Sequence, residues 1–501
     1  MNPPAATASA AAPGAGARPS AAGGSSWRRF LAIDERAACI AGAQTLRGRL
    51  LIYAVAIVAV ASNFPWWESA LMVSAAMAAA YAPKFRNAIL FTATWVAAFL
   101  EMGLAENHIQ RDIARVIEQE HVASVSPMIL ATAFLLLLMM AAWAALAVVR
   151  RQPKSLLARR PLLTLLLLEV LLCGLSTFAI MDGLPRVILW SMLIVLTPYV
   201  WFLPYAIVDQ RARDASPPLL QLAVLRPFWS PTYLPFGKGA AFLRKKLAKT
   251  PSELAVTQLK AVKLLLWSNV LLAIKTALAW LFDEQIKIPS VEGALDAFLA
   301  GQAYPLLASW SALVWSTANY GLKIALWTGL FIGIARLAGY RLPRGCWRPL
   351  ESRTLMDYFN RFHFYFKELL VDFFFVPTFF AVFRSHPRLR MFFATFMAAG
   401  VGNALWHFFR EIHLVATMGL ATALETFSSY IFYSVILATG IGLSQVRANM
   451  GIRPSATLFG RLYSFLLVWS FVVCLHLFGD ESRNHTLGER LSFLASLFGV
   501  G

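Results

Sequence analysis

A short polar pattern inside an apolar run has the residue types needed for proton transfer. Residues 402–413 read GNALWHFFREIH, and in a helix Asn403, His407 and Glu411 would share one face at successive i, i+4 positions. A neutral imidazole has one donor and one acceptor nitrogen. If Asn403 or Glu411 takes the donor, the other nitrogen is left to act as the general base that activates a hydroxyl. Burial among apolar side chains favours this neutral form.

A second polar segment lies about forty residues earlier. Residues 355–377, LMDYFNRFHFYFKELLVDFFFVP, are aromatic but carry six ionisable side chains: Asp357, Arg361, His363, Lys367, Glu368 and Asp372. Each charge facing hydrocarbon would cost roughly 2.5–3.5 kcal/mol. We therefore expect this segment to lie in the membrane interface or to face a polar cavity, and we take its ionisable residues as functional candidates.

Other interpretations stay open for these residues. A histidine among aromatic side chains can be a hydrogen-bonded core residue, and Asp372 can form a structural ion pair with Lys367 or Arg361. His407 and Glu411 give two ligands with no clear third, so no metal site is expected. The four cysteines are scattered and form no CxxC pair, which argues against a disulfide framework.

Composition decides the class of protein that must position these residues. The chain of 501 residues is 58% apolar, above the roughly 45–50% of soluble domains. Several apolar runs reach the roughly 20 residues that a spanning helix needs, for example 127–149 and 186–208. We expect an all-α polytopic membrane protein with about eleven transmembrane or re-entrant helices. Residues 304–338 could form one long helix or two short ones, and residues 415–443 one span or two.

Loop charges predict the orientation. The net charge is +19, but the basic residues gather in loops between spans, as the positive-inside rule describes. No aromatic–basic RNA motif accompanies them, so nucleic acid is not an expected partner. Residues 1–26 are rich in Ala, Gly, Pro and Ser and are expected to be a disordered cytoplasmic tail. Residues 27–501 would then form a single transmembrane domain.

The longest basic loop is expected on the cytoplasmic side, at residues 209–262. Four of its basic residues are candidates for binding an anionic partner: Lys238, Arg244, Lys245 and Lys246. Gly237 and Gly239 lack the spacing of a phosphate-binding P-loop. The loop is therefore interpreted as a folded, positively charged loop, with a docking surface for an anionic cofactor or acidic carrier protein as the alternative.

The two histidine segments together resemble the signature of the membrane-bound O-acyltransferase (MBOAT) superfamily, in particular its bacterial branch of alginate O-acetyltransferases and teichoic acid D-alanyltransferases. That branch has an aromatic–Arg–aromatic–His block, an Asp nine residues after the His and a Pro five residues later. The matching positions here are Arg361, Phe362, His363, Asp372 and Pro377. The family's later Trp-His pair, whose His is regarded as catalytic, matches Trp406 and His407.

The chain also departs from the family pattern. Phe359 and Phe362 stand where the family has tryptophans, Phe408 follows the Trp-His pair in place of glycine, and aromatic and charged residues replace a small, Ser-rich stretch after His363. These departures indicate a divergent branch with a different acceptor.

The resemblance implies a multi-pass enzyme of the bacterial inner membrane with its N-terminus in the cytoplasm. Its reaction would transfer an acyl group, acetyl being the commonest, from acyl-CoA or an acyl carrier protein to a hydroxyl of a glycan, lipid-linked or secreted acceptor. His407 would be the base, His363 would position the acceptor, and Asn403 or the Trp406 indole would stabilise the oxyanion. No bound cofactor is expected, and other envelope biosynthesis proteins are candidate partners. The alternatives are a transporter or flippase, with Glu169, Lys275 and Glu368 on an ion path, and a non-catalytic membrane scaffold.

Overall fold

The structure is a computed structural model that describes residues 32–103, 107–122, 125–178, 182–230, 237–479 and 484–500. The expected disordered tail, residues 1–26, lies outside the described residues. Within them every regular element is helical, apart from one isolated β-bridge between Leu247 and Tyr340. The all-α expectation is therefore confirmed for the described part of the chain.

The helices are numbered here in chain order. The first half contains α1 (Ala37–Gln44), α2 (Leu46–Ala61), α3 (Trp66–Tyr81), α4 (Arg86–Gly103), α5 (His108–Gln119), α6 (Pro127–Arg151), α7 (Leu156–Arg159), α8 (Pro161–Thr177), α9 (Leu184–Val200), α10 (Leu203–Gln210), α11 (Pro218–Ala223) and α12 (Ala240–Lys246).

The second half contains α13 (Pro251–Ala279, with a π-helical extension Trp280–Gln285), α14 (Val291–Leu299), α15 (Leu306–Leu337), a 3₁₀ turn (Pro349–Glu351), α16 (Leu355–Phe362), α17 (Phe364–Leu370), a π-helical segment (Val371–Phe375), α18 (Val376–Ala381), α19 (Pro387–Phe396), a π-helical segment (Met397–Gly402), α20 (Asn403–Arg410), α21 (Ile412–Met418), α22 (Leu420–Asn449), α23 (Leu458–His476) and α24 (Leu487–Leu497).

Membrane-spanning capacity is lower than the sequence suggested. Six helices of the described chain are long and apolar enough to cross a membrane, or up to nine if each of three bent pairs is one span. The expected count of about eleven is therefore not confirmed. Bending accounts for the range from six to nine: α1 and α2 meet at 94°, and α9 and α10 meet at 57°. The second bend lies where Pro198 and Pro204 each remove a backbone donor.

Long helices occupy the two regions whose number of spans was left open, and another begins inside the expected cytoplasmic segment. Residues 306–337 form the single unbroken helix α15, and residues 420–449 form the single helix α22. Helix α13 begins at Pro251, so the last twelve residues of the expected cytoplasmic segment 209–262 are its first three turns. Thr250 stabilises this start by accepting a hydrogen bond from the backbone N–H of Glu253.

The antiparallel pair α13 and α15 forms the centre of one hydrophobic core. A Cβ atom built on Gly333 would lie 2.6 Å from Leu265 Cδ2, and one built on Gly329 would lie 2.2 Å from Ser268 Oγ. Only glycine fits at this separation, and small residues commonly permit such close approach of membrane helices. A second core surrounds α6, α8 and α9 and contains Trp190. Trp406 belongs to this second core.

Candidate functional site

One cavity brings the two histidine segments together. Its volume is about 3220 Å³, and both His363 and His407 lie on its wall. Neither histidine is fully buried by the surrounding side chains. On α22 the wall extends from Tyr430 to Asn449, about 28 Å at the helical rise of 1.5 Å per residue. This length is close to the roughly 30 Å of a bilayer's hydrocarbon core.

The cavity wall also includes charged residues from distant parts of the chain. Arg111 and Asp112 of α5 line it, as do Arg447 at the end of α22 and Arg453 in the connection that follows.

Helix α20 holds the Trp406–His407 pair. It follows a π-helical segment, an element frequent at functional sites. Gly402 ends that segment, and a Cβ atom there would lie 2.9 Å from the ring of Phe374. The missing side chain thus lets the two histidine segments touch. The Trp406 side chain is only 3% exposed and packs edge-on against Trp201, with ring centroids 5.1 Å apart.

His407 stacks on an aromatic ring that is itself held by Asn403. The ring centroids of His407 and Tyr430 are 4.3 Å apart at an interplanar angle of 35°. The Tyr430 hydroxyl donates to Asn403 Oδ1 at 3.4 Å, and Asn403 Nδ2 donates to Ser434 at 3.5 Å. Asn403 therefore links α20 to α22 and braces the tyrosine under His407.

The third polar residue of the expected row, Glu411, lies at the end of its helix. Asn403 and His407 belong to α20, but the helix ends at Arg410. Glu411 caps it with φ −103° and ψ 26°, and its backbone N–H donates to the carbonyl oxygen of His407. Glu411 is nevertheless 92% buried, with a relative exposure of 8%, and lies on the cavity wall.

His363 sits at the break between α16 and α17. Its φ and ψ of −122° and 54° are not helical, and they end α16. The ring contacts Phe362 edge-on at 4.4 Å between centroids and lies 6.5 Å from the ring of Tyr320. The expectation that this polar segment faces a cavity is met, since Lys367, Glu368 and Asp372 also line it.

Asp372 forms an ion pair, but with neither of the expected partners. Its Oδ2 atom lies 3.0 Å from Lys238 Nζ and accepts from the Tyr205 hydroxyl at 3.0 Å. Lys238 also lies 2.6 Å from Glu368 Oε2. The neighbouring Gly239 makes this possible, because a Cβ atom there would lie 2.8 Å from Tyr205 Cβ.

The charge state of Lys238 follows from these neighbours. Burial alone would lower the pKa of its ammonium group, but the carboxylates of Asp372 and Glu368 outweigh burial and raise this pKa above its ordinary value. Lys238 is therefore charged at neutral pH. It joins the 237–239 turn to the first histidine segment.

The remaining candidates are structural contacts or exposed charges. Arg361 Nε lies 2.7 Å from Asp357, and its guanidinium lies over the ring of Trp347 at 5.0 Å. Arg244 pairs with Asp214 at 2.9 Å. Lys245 is exposed, and Lys246 lies over the ring of Phe242 at 5.5 Å. The last three do not line the cavity.

The sequence analysis missed two features of the cavity. His476, which was not among the candidates, is the last residue of α23, and its Nε2 atom lies 3.1 Å from the Ser316 hydroxyl on the cavity wall. Its position at the end of a 19-residue apolar helix was the available signal. Tyr430, which stacks on His407, had no signal, because stacking across two helices depends on tertiary packing.

No group of three or more His, Cys, Asp or Glu residues able to hold a metal ion occurs within the described ranges. Comparison with protein-family models finds no match for this chain, and comparison with curated protein sequences finds no significant match.

Proposed function

We propose that this protein is a multi-pass membrane O-acyltransferase of the MBOAT type, divergent from the bacterial branch that its motifs resemble. The observation that carries the proposal is the placement of His363 and His407 on one elongated cavity. An enzyme that joins a cytoplasmic donor to an acceptor from the other side of a membrane needs such a passage. The resemblance at residues 355–410 supplies the reaction class.

In the proposed reaction, His407 takes the proton from the acceptor hydroxyl as its oxygen attacks the thioester carbonyl. The new oxygen–carbon bond forms and the carbon–sulfur bond breaks. The departing thiolate then receives the proton from His407 and leaves as a thiol. Stacking on Tyr430 holds the imidazole in place. A base held in a fixed orientation lowers the entropic part of the reaction barrier.

His363 is proposed to position the acceptor, and Trp406 borders the same space as a donor for the developing oxyanion. Asn403 is a weaker candidate for that role, because its amide is already bonded to Tyr430 and Ser434. The donor is proposed to be an acyl-CoA or acyl carrier protein that approaches the basic surface near Arg244 and Lys245.

The experiment is an assay of acyl transfer with His407→Ala and His363→Ala at matched expression. His386→Ala is the control, since that histidine is exposed and does not line the cavity. Loss of a general base is expected to lower kcat by about 10²–10⁴-fold. Loss of a positioning residue is expected to act on KM for the acceptor.

The outcomes also separate the alternatives. Unchanged acylated product in both cavity variants would contradict the enzyme proposal and favour a scaffold. Altered export with unchanged acylation would favour transport. Mass spectrometry of the acylated molecule, compared with a deletion strain, would identify the acceptor.

A further inference from the structure

Two lysines of the central helix pair are not used by the mechanism above. Lys275 lies on α13 and Lys323 on α15, and both line the cavity. Lys323 is 17 residues from the start of α15 and 14 from its end, so it lies near the midpoint of a spanning helix. Ionisable residues at such a depth face a cavity and mark the path of a substrate or ion.

The register of the helix pair places these lysines at the same height. A Cβ atom on Gly329 would touch Ser268, so these two positions are level in the antiparallel pair. Lys275 lies seven residues beyond Ser268, and Lys323 lies six residues before Gly329. At 1.5 Å per residue the two lysines differ in height by only about 1.5 Å.

A second contact confirms the register and locates the nearest acid on that side. The indole nitrogen of Trp315 donates to Asp283 Oδ1 at 2.6 Å. Asp283 lies 15 residues beyond Ser268 and Trp315 lies 14 residues before Gly329, so this contact fits the same antiparallel register to within one residue. Asp283 lies eight residues beyond Lys275, about 12 Å along the axis. It is also already engaged by a hydrogen bond.

Among the described residues, no carboxylate pairs with either lysine. Neither Lys275 nor Lys323 forms an ion pair with any residue in the described part of the chain. The described wall of the cavity carries ten lysines and arginines but four acidic residues, which are Asp112, Glu368, Asp372 and Glu411. Of these, Glu368 and Asp372 are held by Lys238. The formal charge of the described cavity wall is therefore positive.

The lysine pair also lies next to the first histidine segment. Tyr320 is one turn before Lys323 on α15, and its ring lies 6.5 Å from that of His363 and 5.5 Å from that of His476. A molecule that places its hydroxyl near His363 would thus carry its other groups towards the lysines.

We propose that Lys275 and Lys323 bind an oxyanion, either a phosphate or a carboxylate, carried by the acceptor. The identification of the bound molecule as the acceptor rests on the proposed function. The binding of an oxyanion by the two lysines does not depend on acyl transfer. Lysine ammonium groups bind phosphate as point charges, and two of them at one height in a cavity with little opposing charge supply the attraction. The acceptor class is therefore an anionic glycan, metabolite or lipid and not a neutral alcohol.

The test measures binding by the purified full-length chain in nanodiscs of phosphatidylcholine. Inorganic phosphate and glucuronate are the soluble probes, followed by calorimetry and thermal stabilisation. Nanodiscs that contain phosphatidylglycerol test a lipid headgroup as the source of the oxyanion. The variants are the double substitution Lys275→Met with Lys323→Met, the matching double substitution to Arg, and the control Lys154→Met. Lys154 is exposed and lies outside the cavity.

Wild type and the Lys154 control should bind a soluble probe, the lipid or both, and the double Met variant should bind at least about tenfold more weakly. The double Arg variant should retain most of the binding. Equal binding by the double Met variant, or no binding of any probe by wild type, would overturn the proposal. His407→Ala should bind the probes like wild type, so a failure of the acyl-transfer proposal is distinguishable from a failure of this one.

Discussion

The link between the 237–239 turn and the first histidine segment gives a prediction whose size can be worked out. Lys238 lies 2.6 Å from Glu368 and 3.0 Å from Asp372. Replacing Lys238 by Met removes the ammonium group and leaves two carboxylates facing each other in a partly enclosed site. Removing one partner of a buried ion pair costs about 3–5 kcal/mol.

That cost must be reduced for solvent screening. The side chains of Lys238, Glu368 and Asp372 are 14%, 22% and 33% exposed, and Glu368 keeps a second partner in Lys367 at 2.7 Å. We therefore expect Lys238→Met to lower the free energy of unfolding by about 2 kcal/mol. The effect should be greatest near neutral pH, where both carboxylates are charged.

The assay is thermal unfolding of the purified protein in one detergent, with wild type and Lys245→Met measured in parallel. Lys245 is exposed and lies outside the cavity, so its replacement controls for the loss of a positive charge. The Lys238 variant should unfold a few degrees lower, while Lys238→Arg should lie between it and wild type. An equal shift in the Lys238→Met and Lys245→Met variants would refute the reasoning, because the link would then carry no stability.

Three further predictions concern packing, the imidazole and the C-terminal helix. Gly402→Val should destabilise the protein by about 1–3 kcal/mol, because the Cβ atom of the new side chain would meet the ring of Phe374 at 2.9 Å. An unchanged midpoint of thermal unfolding would show that the neighbouring side chains move aside without cost. Tyr430→Phe keeps the ring under His407 but removes the tyrosine hydroxyl. The kcat should fall about tenfold, while the free energy of unfolding changes by about 1 kcal/mol or less. Full activity would show that the hydroxyl does not position the imidazole. At Glu489, hydrogen bonds from the N-cap backbone N–H and hydroxyl lower the pKa, so its stabilisation is present above the ordinary carboxyl value of about 4.3 and is lost as the pH falls through the lowered pKa. Glu489→Gln should destabilise the protein at pH 7, and this loss should shrink as the pH falls through the lowered pKa. A loss that does not change with pH would contradict the ionised cap.

Local rules predicted the helical class well. Apolar runs of spanning length required helices, because a lipid environment leaves backbone groups no partner except their own chain. The boundaries of several helices follow from capping residues, as for Thr250 before α13 and Thr354 before α16. The charges in residues 355–377 excluded a lipid-facing span, and this segment does line a cavity.

The same rules failed where the chain bends or where partners are distant. The apolar run 186–208 reaches spanning length, but α9 and α10 meet at a 57° bend within it. The expected partner of Asp372 was sought within its own segment, whereas Lys238 comes from 134 residues earlier. Spacing along one helix predicts neighbours only while that helix continues, and an ion pair across the fold depends on how the turns approach each other.

The sequence by itself determined that this chain forms apolar helices and that two histidine segments carry the polar groups among them. Hydrophobicity and helical periodicity are local properties, so they can be read from the order of residues. Tertiary structure alone decided that His363 and His407 share one cavity, that Tyr430 stacks on the second of them, and that Lys275 and Lys323 stand level across a helix pair. These relations depend on the close approach of helices at glycine positions, and the distance between two helices is set by all the side chains that pack between them.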